Sequence, residues 1–121
     1  MDRHGIALRI RELIRAQDRA DLTNVAVRLG VAELTLRLSI DDLSPHPTIE
    51  VLAAIVRVYG VDPTWLLYGE YSSASHIQAA MVDEAGGREA VTRLVHRLIE
   101  NREVPGALPR RTSGDNDRLE S

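Results

Sequence analysis

The chain has no cysteine, no phenylalanine and no lysine. Without cysteine there can be no disulfide and no thiolate metal site. Without phenylalanine, and with aromatics at 3%, the core has to be assembled from Leu, Ile, Val and Ala, which suits a small helical bundle. All 15 basic residues are arginine, a bias that points to GC-rich coding rather than to chemistry. No apolar run reaches the length needed to span a bilayer, because Arg57 interrupts the best candidate. The first residues do not read as a signal peptide: Asp2, Arg3 and His4 lead into an arginine-studded segment with no small-residue cleavage site. The expectation is a cytoplasmic protein with no membrane contact.

What is present fits one domain with appendages, since 121 residues are too few for two full cores. The net charge is −3, and residues 1–71 carry eight Arg against ten Asp and Glu, a balance of −2. That acidity runs against strong non-specific binding to nucleic acid, where neutralised phosphates supply most of the affinity.

The chain is organised around residues 22–40. Val25, Ala26 and Leu29 share one face of a helix. Gly30 stands where a left-handed residue would let the chain reverse, and Val31 plugs the corner. Leu36 and Ile40 lie four apart on a second helix. A small residue in mid-helix, a glycine at the turn and apolar residues on both sides are what a helix-turn-helix needs, because its two helices cross closely at a large angle.

This stretch resembles the helix-turn-helix of the lambda-repressor and Cro-like family, the xenobiotic-response-element type. Counted from Leu22, that pattern asks for apolar residues at Val25, Leu29, Val31, Leu36 and Ser39, alanine at Ala26 and glycine at Gly30. The one miss is Ser39, for which Ile40 can substitute one step round the helix. Residues 9–13 resemble the family's first helix, 47–61 its fourth and 62–67 its fifth, so the likeness covers roughly residues 5–70. It implies an all-α, five-helix lambda-repressor-like domain over 5–71. A helical extension over 72–103, a candidate dimerisation segment, and a disordered tail over 104–121 complete the expected plan.

The local signals agree with that plan. Helix 1 is expected from about Gly5 to Gln17, burying Ile6, Ile10, Leu13 and Ile14. Arg9, Arg11 and Arg15 are expected on a solvated face with Glu12 and Asp18 as partners, one or two of them within reach of a phosphate. Asp21 caps helix 2. Asp41 to Pro47 is an extended loop broken by two prolines, and Thr48 caps helix 4. Ile49, Leu52, Ala53, Val56 and Tyr59 recur at helical spacing until Gly60. Asp62-Pro63 restarts the chain as helix 5, with Trp65, Leu66 and Leu67 closing the bundle. Ser72 to Ser75 reads as a linker, and Ser75-x-x-Gln78 as a capping box. Gly86-Gly87 breaks the helix that follows. Residues 88–103 then form an amphipathic helix striped by Val91, Leu94, Val95, Leu98 and Ile99.

In the family, helix 3 lies in the major groove and its early residues touch base edges. Carried over by position, the DNA-contact residues are Ala32, Glu33, Leu34, Arg37 and Leu38. Arg37 can fork onto guanine, Glu33 can accept from a cytosine amine, and the leucines can only touch thymine methyls. Three places depart from the family. Leu22 stands where a glutamine is usual, Asp21 where Ser or Thr is usual, and Asp41, Asp42 and Leu43 fill a loop that is commonly glycine and basic residues. His4, His46, His76 and His96 are scattered at no ligand spacing, so no metal and no cofactor are expected. Thr35 and Ser39 have no base beside them, so no enzyme is expected. The leading expectation is a sequence-specific transcriptional regulator, a repressor acting as a homodimer on a double-stranded operator. The competing reading is a degenerate helix-turn-helix that binds a protein partner through Leu34 and Leu38. A third is an antitoxin-like protein that does both.

Overall fold

The computed structural model describes residues 2–17 and 21–103, with the side chains of 83–86 and 103 left aside. Its order is α1 (Arg3–Gln17), α2 (Leu22–Leu29), α3 (Glu33–Ser39), α4 (Ile49–Tyr59), α5 (Pro63–Tyr68) and α6 (Ser73–Glu103). Among the described residues every element is helical. No helix is long and apolar enough to cross a membrane. The expected tail over 104–121 and the expected partner Asp18 lie outside the described residues.

The helix ends follow the cap chemistry of the sequence. Asp21 accepts from the Asn24 N–H, Thr48 from Val51, and Asp62 from Thr64 and Trp65. α1 starts two residues earlier than Gly5 because Asp2 accepts from the Gly5 N–H at 3.2 Å.

α4 is the central element. Val51 to Val56 are buried without interruption, so these six residues have no solvated face. Such a helix needs cover on every side. α2 and α3 supply part of it, and α6 supplies most of the rest. Ala79, Val91, Leu94 and Val95 of α6 are buried in the same core as Ile6, Ile10, Val25, Leu29, Leu36, Leu52, Ile55, Leu66 and Leu67. The apolar stripe of the candidate dimerisation segment is therefore used within the chain, against α4 and α5. Its outer end is tied as well. Tyr68 Oη donates to the Leu98 carbonyl at 3.3 Å, and Arg102 stacks 4.1 Å from the Tyr68 ring centroid while meeting Glu70 at 3.2 Å.

Residues 72–75 are not a free linker. Ser72, not Ser75, caps α6, accepting from the Ser75 N–H at 3.2 Å. Ser75 is buried and donates to the Asp62 carboxylate. Asp62 also accepts from the Ser72 N–H at 2.6 Å. One buried carboxylate thus holds the starts of both α5 and α6. α6 itself bends once, at Gly87, whose φ of 68° and ψ of −155° lie in a region open essentially to glycine alone. That break carries the residues after it back across α4.

Two helix-1 arginines are structural, which corrects the expected solvated face. Arg9 donates to the Leu66 and Leu67 carbonyls at 2.8 and 3.1 Å, closing the C-terminal end of α5. Burial pulls its guanidinium below the usual arginine range, against an upward pull from Asp2 and Glu12. Arg11 donates to the Ile40 carbonyl at the end of α3 and pairs with Asp42. Cations at helix C-termini satisfy free carbonyls and complement the macrodipole.

Candidate nucleic-acid interface

The helix-turn-helix geometry arises locally. Gly30 ends α2 at φ 74° and ψ 30°, and its N–H bonds back to Ala26 and Val27. The Val31 N–H reaches the Ala26 carbonyl at 3.1 Å. This is a Schellman closure, which turns the chain out of α2 within one residue. Ala26, Leu29 and Leu36 are buried where α2 and α3 meet, and Val31 packs half-buried beside them.

The mismatched position is itself in the core. Ser39 is fully buried, and Ile40 is buried next to it. The Ser39 hydroxyl donates to the Thr35 carbonyl at 2.8 Å and lies 3.4 Å from the His46 carbonyl. A buried hydroxyl is tolerated when its hydrogen bond is made. Ile40 therefore adds to Ser39 rather than replacing it.

The opposite face of α3 is turned outward. Ala32, Leu34, Arg37 and Leu38 are exposed and Glu33 is half-exposed, so the five expected contact residues share one accessible surface. Leu34 is 67% exposed and Leu38 47%, one turn apart on that surface. Val27 of α2 and Leu43 of the following loop add further exposed apolar area nearby in sequence.

The polar residues of the face are engaged with one another. Arg37 donates through Nε to Glu33 at 2.8 Å and meets the same carboxylate through Nη2 at 2.7 Å. Thr23, on the first turn of α2, donates to the other Glu33 oxygen at 2.9 Å. The hydrogen bonds from Arg37 and then Thr23 hold the Glu33 carboxyl below its usual range. The face is thus a small network joining α2 to α3, with its one α3 cation already matched to a carboxylate.

Thr23 is not among the residues that the sequence places at the site. The signal for it is the cap at Asp21, which places residues 22–24 in the first turn of α2 beside α3. Arg88 is a second residue outside the expected set. The break at Gly87 brings it over the motif's turn, so that a methyl group added to Gly30 would stand 2.8 Å from Arg88 Nη2.

The acidic rim persists. Asp21 is held by the cap of α2, Asp41 accepts from the Leu43 and Ser44 N–H groups, and Asp42 is paired with Arg11. Each carboxylate near the face has a structural occupation. Among the described residues no three His, Cys, Asp or Glu side chains gather as a metal site. His76 is a tie between elements: Nε2 donates to the Gly60 carbonyl at 2.9 Å, and Nδ1 lies 2.9 Å from the Tyr71 hydroxyl.

No family model matches the chain, and neither a curated protein nor a solved structure matches it.

Proposed function

We propose that the chain is a DNA-binding transcriptional regulator, built on a lambda-repressor-like helix-turn-helix domain and acting as a homodimer on a two-half-site operator. One observation carries this reading. A short α3 is docked on α2 through a glycine-centred turn, and its unburied face presents Ala32, Glu33, Leu34, Arg37 and Leu38 together to solvent. A helix held by its inner face and bare on its outer face has the form that enters a major groove. A helix of seven residues reads few base pairs, so a second copy is needed for an operator of useful specificity.

Arg37 is the base reader in this proposal, released from Glu33 to fork onto guanine O6 and N7. Glu33 and Thr23 hold it in a preset position until then. The exchange of a carboxylate for a base edge limits the net gain. Arg37→Ala is expected to cost about 1–3 kcal/mol of specific binding and to relax preference at one base pair. Glu33→Gln is expected to tighten binding to any duplex, by freeing Arg37 and removing a charge that repels phosphate. The acidic rim predicts a shallow dependence of affinity on salt.

A second reading has its own observation. Leu34 and Leu38 form an exposed apolar pair beside a neutralised arginine, the arrangement of a protein-binding anchor with a polar rim. On that reading Leu34→Ala and Leu38→Ala abolish partner binding while Arg37→Ala has little effect. An antitoxin-like protein would show both behaviours. Gel shifts against the DNA upstream of the chain's own coding region, at low and moderate salt, separate the classes. Specific binding unaffected by Arg37→Ala removes α3 as the reader, and no binding by the wild type at low salt favours the interaction module.

A further inference from the structure

A cleft of about 480 Å³ opens where the motif's turn, α4 and the part of α6 after Gly87 come together. Its size is in the range of small-molecule sites. Leu29, Val31, Ile49 and Ala54 give it an apolar floor. Arg57, Arg88 and Arg93 stand around that floor, with Glu50 the single carboxylate among the lining residues. His96 lines it too, with Nδ1 3.7 Å from a Glu100 oxygen.

Arg57 makes the cleft more than a cationic dent. Its Nε is buried and has no hydrogen-bond partner. A guanidinium N–H taken out of water and left without an acceptor is costly, and native structures rarely leave one so. Three guanidinium groups against one carboxylate give the lining an excess of positive charge and of donors, which an anionic acceptor would match. The guanidinium fork suits a carboxylate geometrically. The floor requires the rest of that molecule to be apolar.

We propose that this cleft binds a small amphipathic organic carboxylate, its anion on Arg57 with Arg88 and Arg93 at the rim, its apolar body on Leu29, Val31, Ile49 and Ala54. The occupant would touch the turn of the motif itself, since Leu29, Gly30 and Val31 line the cleft. It would also touch Arg88, which lies over Gly30. Binding there does not require that α3 meets DNA.

The test is a backbone amide NMR titration of the full chain with octanoate, with octanol and inorganic phosphate as separate probes. Octanoate should shift Gly30, Val31, Arg57 and Thr92 saturably, with an affinity at least tenfold above that of either control. Arg57→Leu should weaken octanoate binding at least tenfold. Because Arg57 is half-buried, Arg88→Gln at the exposed rim serves as a second variant that leaves the core untouched, with an expected loss of about threefold or more. Octanol or phosphate binding as tightly as octanoate overturns the proposal. So do shifts confined to the exposed Leu34, Leu38 or Ile77, or octanoate binding indifferent to both variants. A parallel gel shift keeps the two assignments apart: Arg88→Gln that weakens duplex binding but not octanoate binding makes these arginines phosphate contacts and removes the ligand site.

Discussion

Glu33 and Arg37 are four residues apart on α3, a spacing that any helix would place side by side. The pairing was therefore legible in the sequence, but its third member was not. Thr23 comes from another helix, and its bond to Glu33 depends on how α2 and α3 cross. The carboxyl is held down first by Arg37 and then by Thr23. A folded value below the unfolded one means that the interaction is complete above the ordinary glutamate range and is lost as pH falls through the depressed value. Titration of the Glu33 carboxyl by carbon-detected NMR should give a midpoint below that of an unstructured glutamate. In Arg37→Ala the midpoint should move up and in Thr23→Ala move up less. An identical midpoint in wild type and Arg37→Ala would show that the pair does not hold in solution. Ala26 belongs to the same scale. It is buried where α2 turns into α3, so Ala26→Leu should cost about 1–3 kcal/mol by overpacking. An unchanged urea midpoint would place Ala26 away from the crossing.

Among the elements, those whose ends are decided within four residues are legible in the sequence. Asp21, Gly30, Thr48, Gly60 and Asp62 act where their chemistry places them, because caps are local. The sequence is less direct where a side chain reaches across the fold. Ser75 has the spacing of a capping box, yet its hydroxyl is taken by Asp62, which is thirteen residues away, and the cap falls to Ser72. Arg9 and Arg11 look like a solvated stripe until α5 and α3 bring their free carbonyls alongside. The outward face of α3 was legible as a face, while the cleft above Gly30 was not, since the residues beyond Gly87 lie nearly sixty positions from that turn. The Asp62 junction gives an element-scale prediction. Asp62→Ala removes the α5 cap and leaves the Ser72 N–H without its acceptor, while the Ser75 hydroxyl keeps Thr64 and the Ser72 carbonyl. The expected loss is about 2–4 kcal/mol in urea unfolding, combining a cap with an unsatisfied buried group. Asp62→Asn, which keeps an acceptor oxygen, should recover part of it. Gly30→Ala forces a left-handed backbone on a residue with Cβ and presses on Arg88, for about 1–2 kcal/mol.

At the scale of the whole molecule, composition changes after Tyr71 and suggests a boundary there, but the packing places no boundary at that point. From Val51 to Val56 α4 is buried on every side, because α6 covers what α2, α3 and α5 leave bare. The run Leu52 to Val56 carried this information: a helix with no polar face requires a neighbour on each side, and the first five helices do not provide one. The stripe of α6 and the excess apolar surface of α4 are two halves of one interface. A chain ending at Tyr71 would expose that surface and lose both bonds from residues 72–75 to Asp62. It is expected to lose the cooperative thermal transition of the full chain and to associate non-specifically, with far-UV helix content reduced by more than the deleted residues account for. Deleting residues 104–121 instead should leave the transition in place. If the chain ending at Tyr71 melts as sharply as the full protein and sediments as a monomer, α6 is an appendage and the core closes without it. If the full chain is a dimer, its contact must then use surface other than the Val91, Leu94 and Val95 stripe, because that stripe is already buried on α4. Sedimentation of Val91→Glu distinguishes these cases: a dimer interface on the stripe would yield a folded monomer, whereas packing on α4 predicts an unfolded chain.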